Sequence, residues 1–260
     1  IFLEPRQGGN RSWYQNMGWY YRRMVVPRIL SQCEKIITVS HFECNRIREA
    51  LQLPKDKITA IYNGYSEHFR PLSETLSITR KYIDDDDYIF FLGNTDPKKN
   101  VARTLKAYSL YLKQSDKKRP LLIADLSKDK LDAILREQQI EEIKPYLSYP
   151  GYIPNKDLAY LYNGAFVFLY TSLRESFGIP MLEAMACGTP VITGNTSAMP
   201  EIAGEGGILV NSLNAKEIAE KILYLEQDQI FYQNQIKYGL NRVQKFSWAQ
   251  TAENLLSLYK

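Results

Sequence analysis

The sequence predicts an α/β fold built on a doubly wound parallel sheet. From residue 88 onward, short apolar segments rich in β-branched and aromatic residues alternate with longer helical stretches. Such apolar segments are typical of strands that a parallel sheet buries on both faces. The chain of 260 residues, 45% apolar and 24% charged, is also long enough to bury a substantial core.

The N-terminal part predicts two helices and two short strands. It begins with a stretch rich in Trp, Tyr and Arg that lacks strand alternation, which favours a helix. Ser40 is a candidate N-cap for the second helix, and Asn63-Gly64 closes the second strand because this pair tolerates positive φ. In chain order we predict a helix from residue 13, a strand at 36–39, a helix at 41–52, a strand at 58–62 and a linker at 71–80.

The remaining chain predicts the main sheet and its helices. A Ser at position 247 is a candidate cap for the last helix. In such sheets, ligands bind at the carboxyl ends of the strands, where loops lead into helix N-termini. The predicted strands are 88–92, 121–124, 166–170, 191–193 and 208–210; the predicted helices are 100–114, 127–140, 155–163, 179–187, 215–227, 229–244 and 247–259.

Composition excludes several classes of protein. A net charge of +4 is compatible with anionic ligands but gives no argument for nucleic acid, and three scattered cysteines predict no disulfide framework. We find no signal peptide and no run of apolar residues long enough to span a membrane, so we expect a cytoplasmic protein. Residues 13–28 could pack in a core or lie against the inner membrane face as a peripheral contact; we favour packing. Because the chain starts at Ile1, we also expect a truncated N-terminus.

Two lysines follow the first strand of the main sheet. Lys98 and Lys99 lie in the loop 93–100, where two ammonium groups could neutralise a diphosphate. A solvated basic helix start is an equally good interpretation of this loop alone. With a single glycine, the loop is neither a dinucleotide-binding fingerprint nor a Walker loop.

Two glutamates flank a Ser-Phe-Gly turn after the third strand. Glu175 lies in the loop, Glu183 about one turn into the next helix, and Gly178 allows backbone amides to approach a ligand. Glu175 could instead complement the helix dipole, and Glu183 could be an exposed helical residue. The apolar neighbours of Glu183 argue against exposure, because a buried carboxylate needs a partner.

Neither the acidic run nor the histidines predict a metal site. Residues 84–87 precede a strand and therefore lie at the end of the sheet opposite the expected crevice, as a solvated loop. His41 and His68 have no neighbour at metal-ligand spacing.

These motifs, in their order and spacing, resemble the family-4 (group 1) retaining glycosyltransferases. The resemblance covers nearly the whole chain and implies a B-type fold with two Rossmann-like domains. One departure is that many members have Arg after the first glycine, where this chain has Asn94. The resemblance rests on the loop 93–100, Gly151-Tyr152-Ile153, Glu175-x7-Glu183, Gly188-Thr189-Pro190-Val191-Ile192, Pro200-Glu201, Ile37-Thr38-Val39-Ser40, Ile61-Tyr62-Asn63-Gly64 and Phe246-Ser247-Trp248.

The resemblance also implies roles for individual residues. Lys99 matches the lysine that holds the donor diphosphate, with Lys98 as a second charge, and Glu175 matches the glutamate beside the transferred sugar; we assign Lys99 and Glu175 to catalysis. Glu183 matches the ribose-binding glutamate. The predicted donor-binding set is Lys98, Lys99, Tyr152, Ile153, Ser172, Phe177, Gly178, Ile179 and Glu183, with Tyr152 and Ile153 near the base.

The function implied is transfer of a hexose-type sugar, with retention, from a UDP, GDP or ADP sugar donor to a saccharide or lipid-linked acceptor, without metal or other cofactor. We expect residues 1–70 to be the C-terminal part of the acceptor domain, 71–245 the nucleotide-sugar-binding domain and 246–260 a closing helix. Two alternatives stay open: a nucleotide-sugar 2-epimerase, and a donor-binding fragment that is inactive without the rest of the acceptor domain.

Overall fold

The structure, a computed structural model, describes Leu3 and residues 13–259, without the side chains of residues 14–16. These residues form two units: a two-stranded parallel sheet near the N-terminus, and a six-stranded parallel sheet that follows it in the chain.

The small unit is a β-α-β arrangement preceded by a long helix. Its strands pair in parallel, with Ile36 opposite Ile58. Ile36, Cys44 and Ile58 form its buried centre. The Ser40 hydroxyl accepts a hydrogen bond from the backbone N–H of Glu43 at 3.2 Å, which confirms the predicted cap. Its elements are α1 (Trp13–Gln32), β1 (Ile36–Thr38), α2 (His41–Leu51) and β2 (Ile58–Ala60).

Helix α1 forms as predicted, but its predicted packing in a core is wrong. Trp13 and Tyr21 are 74% and 63% exposed, and Met24 is also exposed. The apolar residues are spread around the whole circumference of the helix, so no single face can bury them together. None of the helices within residues 13–259 is long and apolar enough to cross a membrane.

The six-stranded sheet confirms the predicted doubly wound architecture. Its strand order is β5-β4-β3-β6-β7-β8, all parallel, so the direction of winding reverses between β3 and β6. The strands are β3 (Tyr88–Leu92), β4 (Leu121–Ala124), β5 (Leu147–Gly151), β6 (Ala165–Tyr170), β7 (Val191–Gly194) and β8 (Gly207–Val210). The helices are α3 (Leu76–Thr79), α4 (Val101–Leu112), α5 (Lys128–Gln138), α6 (Asn155–Gly164), α7 (Ile179–Ala186), α8 (Met199–Ala203), α9 (Ala215–Gln227), α10 (Gln229–Val243) and α11 (Trp248–Leu256).

Both faces of the sheet are covered. In β3, Tyr88 and Phe90 belong to one hydrophobic cluster and Ile89 and Phe91 to the other. All four side chains are almost completely buried, as expected for a central strand that packs helices on both sides.

Three elements depart from the prediction. Strand β5 was missed, because it is an edge strand of polar and partly exposed residues that contains Pro150. Helix α8 has only five residues and was also missed. The predicted linker at 71–80 contains α3, and the side chain of Thr79 is buried there.

The pairing of β3 with β6 brings two loops together. Phe90 lies opposite Phe168 and Phe91 opposite Leu169, and the ladder is irregular only at the far end, between Tyr88 and Ile89. The loops that leave the carboxyl ends of both strands therefore meet at the point where the winding reverses. The acidic run 84–87 is exposed and precedes β3, at the opposite end of the sheet, as predicted.

Candidate active site

The loops after β3 and β6 place Lys99 beside Glu175. Lys99 ends a 3₁₀ turn, Pro97–Lys99, between β3 and α4. Its Nζ lies 2.8 Å from Glu175 Oε1, and the two side chains are only 15% and 12% exposed. Lys99 Nζ also lies 4.9 Å from the centre of the Tyr170 ring. The crevice at the reversal point, where α/β sheets bind ligands, thus holds a largely buried ion pair.

Lys98 is oriented differently from Lys99. Its Nζ lies 3.8 Å from Asp96 and its side chain is 42% exposed. Its backbone carbonyl accepts a hydrogen bond from Leu173 N–H at 2.7 Å, so the backbone of this turn is tied to the loop after β6. The ion pair with Asp96 leaves Lys98 accessible at the rim, and its predicted role as a second diphosphate ligand stays a prediction.

Asn100 fixes the end of the loop 93–100. Its φ of 59° lies in the left-handed region, which Asn tolerates better than most residues. Its buried side-chain amide donates to the carbonyl of Thr171 at 3.1 Å and to that of Ser212 at 2.7 Å. This amide joins the loops after β3, β6 and β8.

The turn before α7 requires glycine for reasons that do not involve a ligand. Gly178 has a φ of 109°, and a Cβ there would lie 2.6 Å from Met181 Cε. Phe177 is buried, with its ring 6.0 Å from that of Tyr62 and 5.9 Å from that of Phe246. Ile179 packs against the same core. The turn is therefore held rigidly by packing, and its backbone lies close to Glu175.

Ser172, in the same loop, is buried. Its carbonyl accepts a hydrogen bond from the Ser212 hydroxyl at 3.2 Å. Its side chain is almost fully covered, which points to a structural contribution from this residue.

Glu183 is a largely buried carboxyl group. Burial raises its pKa from 4.5 to about 7, and a hydrogen bond from Tyr162 works in the opposite direction. The Tyr162 hydroxyl lies 3.3 Å from Glu183 Oε2. The interpretation of Glu183 as an ordinary exposed helical residue is therefore wrong, and with a pKa of about 7 both its protonated and its ionised forms are populated near neutral pH.

Tyr152 and Ile153 differ in accessibility. Tyr152 follows β5 and is 76% exposed, whereas the Ile153 side chain is 4% exposed and belongs to the core. Ile153 can therefore offer only backbone groups to a ligand. The predicted roles of both residues near a base stay predictions.

Asp125 is a polar residue of this edge that the sequence analysis missed. It directly follows β4, has a φ of 59°, and its N–H donates to the Gly151 carbonyl at 2.8 Å. Partial desolvation of its carboxyl group raises the pKa, while the backbone N–H of Ile153 acts in the opposite direction. An acidic residue immediately after an apolar strand was the signal that could have identified it.

Two family models match most of the chain. The one described as "Glycosyl transferases group 1" matches residues 76–242, and "Glycosyltransferase Family 4" matches residues 6–68. O-antigen chain mannosyltransferase B of Escherichia coli is 30% identical over 243 residues, which cover 92% of this chain and 64% of that protein. Serotype-specific mannosyltransferase WbdA of Escherichia coli is 28% identical over 85% of this chain and 28% of its own length. The chain thus spans less than two thirds of either relative.

Solved structures share the fold. Sucrose-phosphate synthase from Thermosynechococcus elongatus superposes with a TM-score of 0.77 at 24% identity, over 92% of this chain and 61% of that one. Anabaena HepE, in complex with UDP and glucose, gives a TM-score of 0.78 at 16% identity, over 91% and 66%. The group 1 family model covers more than half of the 260 residues. We conclude that the protein belongs to the group 1 glycosyltransferase family.

Proposed function

We propose that the protein transfers a sugar, with retention of anomeric configuration, from a nucleoside-diphosphate sugar to a saccharide or lipid-linked acceptor. The observation that carries the proposal is the Lys99–Glu175 pair at 2.8 Å in the crevice where the winding of the sheet reverses. Opposite charges there suit a substrate that has both an anionic diphosphate and a neutral, hydroxyl-rich sugar.

Lys99 would stabilise the departing diphosphate. As the bond to the sugar breaks, negative charge grows on the phosphate oxygens, and an ammonium already in place needs no reorganisation. Because Lys99 is only 15% exposed, little water competes with this interaction. A bound diphosphate would contact Lys99 alongside Glu175. The Glu175 carboxylate could then also accept hydrogen bonds from sugar hydroxyls.

Glu183 would bind the ribose hydroxyl groups of the donor. Its pKa of about 7 means that it can accept or donate a hydrogen bond near neutral pH. Tyr162 orients one of its oxygens through the 3.3 Å contact. Glu175 and Glu183 therefore have different partners, which supports different roles for them.

The names of the two relatives suggest a class for the donor sugar and a class for the acceptor. Both are named mannosyltransferases, and the name of one refers to the O-antigen chain. Their names support a mannosyl donor and a growing saccharide acceptor for this protein.

The first test is calorimetric titration with UDP, GDP and ADP in the presence of EDTA. We expect one nucleotide to bind without metal, and Glu183→Ala to weaken it by about 1.5–3 kcal/mol, the range for a hydrogen bond to a charged group. Glu137→Ala, at an exposed position of α5, is the matched control. Binding that is equal in Glu183→Ala and wild type would remove Glu183 from the donor site.

The second test is turnover with the corresponding mannose donor and saccharide acceptors, with the anomeric configuration of the product followed by NMR. Retained configuration in a glycosidic product supports the proposal. Free epimerised sugar nucleotide, or a product of inverted configuration, would contradict it.

A further inference from the structure

The first turn of α2 rests on a carboxylate from the six-stranded unit. Glu201, in α8, accepts hydrogen bonds from the backbone N–H of His41 at 2.7 Å and of Phe42 at 2.8 Å, one on each oxygen. The first amides of a helix have no acceptor within the helix, and its dipole favours negative charge there. One side chain therefore satisfies two amides of the other structural unit.

The same turn of α2 also contacts the loop that carries Glu175. The Ser40 hydroxyl donates to the Ser176 carbonyl at 2.8 Å. Glu43 Oε1 accepts from Arg174 Nη2 at 2.6 Å and from the Ser176 hydroxyl at 3.0 Å. Glu43 is 7% exposed, and these partners, together with Arg46 at 3.9 Å, compensate the burial of its charge.

The loop before α8 holds the backbone of Glu175 from the other side. Glu175 N–H donates to the Ser197 hydroxyl at 3.0 Å, and Ala198 N–H donates to the Glu175 carbonyl at 3.3 Å. Helix α8 is itself anchored to α10, because Arg242 Nε donates to the Ile202 carbonyl at 2.9 Å. The contacts close a circuit from Glu201 through the first turn of α2, residues 174–176 and residues 197–198 back to α8.

We propose that Glu201 and Glu43 are positioning residues: through this circuit they hold the backbone of Glu175 at the correct distance from Lys99. The inference rests on the proposed function of the crevice and adds to it a dependence of the six-stranded unit on the β1-α2-β2 unit. Neither residue reaches the Lys99–Glu175 pair directly. Glu43 binds the side chains of Arg174 and Ser176. Glu201 holds the first turn of α2, and the Ser40 hydroxyl at the start of that turn binds the Ser176 carbonyl.

The variants are Glu201→Ala, Glu201→Gln and Glu43→Gln, made in the full chain. Glu205→Ala is the matched control, because Glu205 lies four residues further on, is exposed, and makes no side-chain hydrogen bond within the part of the chain that the structure describes. Glu201→Gln retains one carbonyl acceptor, so it should rescue part of the loss seen in Glu201→Ala.

The first readout is amide hydrogen exchange, which does not depend on catalysis. In Glu201→Ala we expect about tenfold faster exchange at residues 41–42 and 174–178, with unchanged protection in β3 as the control for folding. Faster exchange at 41–42 with wild-type exchange at 174–178 would overturn the proposal, because the contact would then be local to α2.

The second readout is turnover with a sugar donor. We expect kcat to fall about tenfold or more in Glu201→Ala while KM for the donor changes less than about threefold, because a mispositioned carboxylate affects the transition state most. In the double variant Glu201→Ala/Glu43→Gln, the fold-loss in kcat should be smaller than the product of the two single losses, since either change alone already breaks the circuit. Wild-type kcat in Glu201→Ala, or fully multiplicative losses, would overturn the inference.

The two proposals can fail separately. If the wild-type protein transfers no sugar from any donor, the proposed function fails, and exchange at residues 174–178 still decides whether Glu201 holds this loop. If the wild-type protein is active and both readouts in Glu201→Ala match wild type, only the positioning role fails.

Discussion

Ionisation of the buried Glu183 carboxyl group lowers the unfolding free energy, and a neutral substitution should remove this effect. Its pKa in the folded protein is about 7, compared with an ordinary value of 4.5, mainly because burial disfavours the charged form. Between these two values the unfolded chain has already released the proton while the folded chain keeps it. The unfolded state therefore binds fewer protons, and stability falls as pH rises through this window.

The size of the effect follows from the two pKa values. Once both states are ionised, above about pH 8, the difference between 4.5 and about 7 corresponds to roughly 3 kcal/mol of unfolding free energy. At pH 5 the same linkage gives less than about 1 kcal/mol, because this pH lies only slightly above the pKa of 4.5 that Glu183 has in the unfolded chain. The cost should thus grow by about 2–3 kcal/mol between pH 5 and pH 8.

The substitution Glu183→Gln keeps the shape of the side chain and removes the titration. We expect the unfolding free energy of the variant, minus that of the wild type, to increase by about 2–3 kcal/mol from pH 5 to pH 8 without ligand. Urea unfolding followed by circular dichroism at both pH values measures it, with Glu137→Gln as the exposed control. A difference that is the same at both pH values would refute the assignment of Glu183 as a buried, protonated acid.

Three further predictions concern the same crevice. Lys99→Ala should lower turnover more than donor affinity, because phosphate charge grows in the transition state; equal losses in kcat/KM and in nucleotide Kd would indicate ground-state binding only. Tyr162→Phe removes the hydrogen bond that opposes the pKa rise of Glu183, so an NMR titration should place that pKa higher than in wild type, and a lower value would contradict the contact. Gly178→Ala should lower the unfolding free energy by about 1–3 kcal/mol, since φ is 109° and the new Cβ would overlap Met181; an unchanged Tm would show that the turn adjusts freely.

Strands of the main sheet could be predicted from the sequence where their residues are apolar and buried. The bounds of β3 and β4 agree with the prediction, because these segments consist of aliphatic and aromatic residues that are all buried except the partly exposed Leu92. Strand β5 was not predictable in this way. It includes Pro150 and Ser148, and its existence depends on pairing with β4, which a local pattern does not contain.

The position of each candidate residue in the chain was readable from the sequence, but the contacts among these residues were not. The spacing of Glu175 and Glu183 located both on one loop and helix, as observed. The contact between Lys99 and Glu175 could not be derived from spacing, because it depends on β3 and β6 being neighbours. Glu201 was visible only as part of a Pro-Glu motif, and its contact with the amides of α2 arises from the packing of two separate units.

The pairing of β3 with β6 has a consequence for misfolded forms of this protein. A slip of two residues between these strands would preserve the alternation of side chains between the faces, so hydrophobicity alone would scarcely reject it. The same slip would move one loop by about 6.6 Å relative to the other. Lys99 and Glu175 would then be separated, each in a poorly hydrated place without its countercharge. The observed alignment of β3 and β6 is therefore the one that lets Lys99 and Glu175 neutralise each other, so the ion pair adds an electrostatic preference for this register to the hydrophobic one.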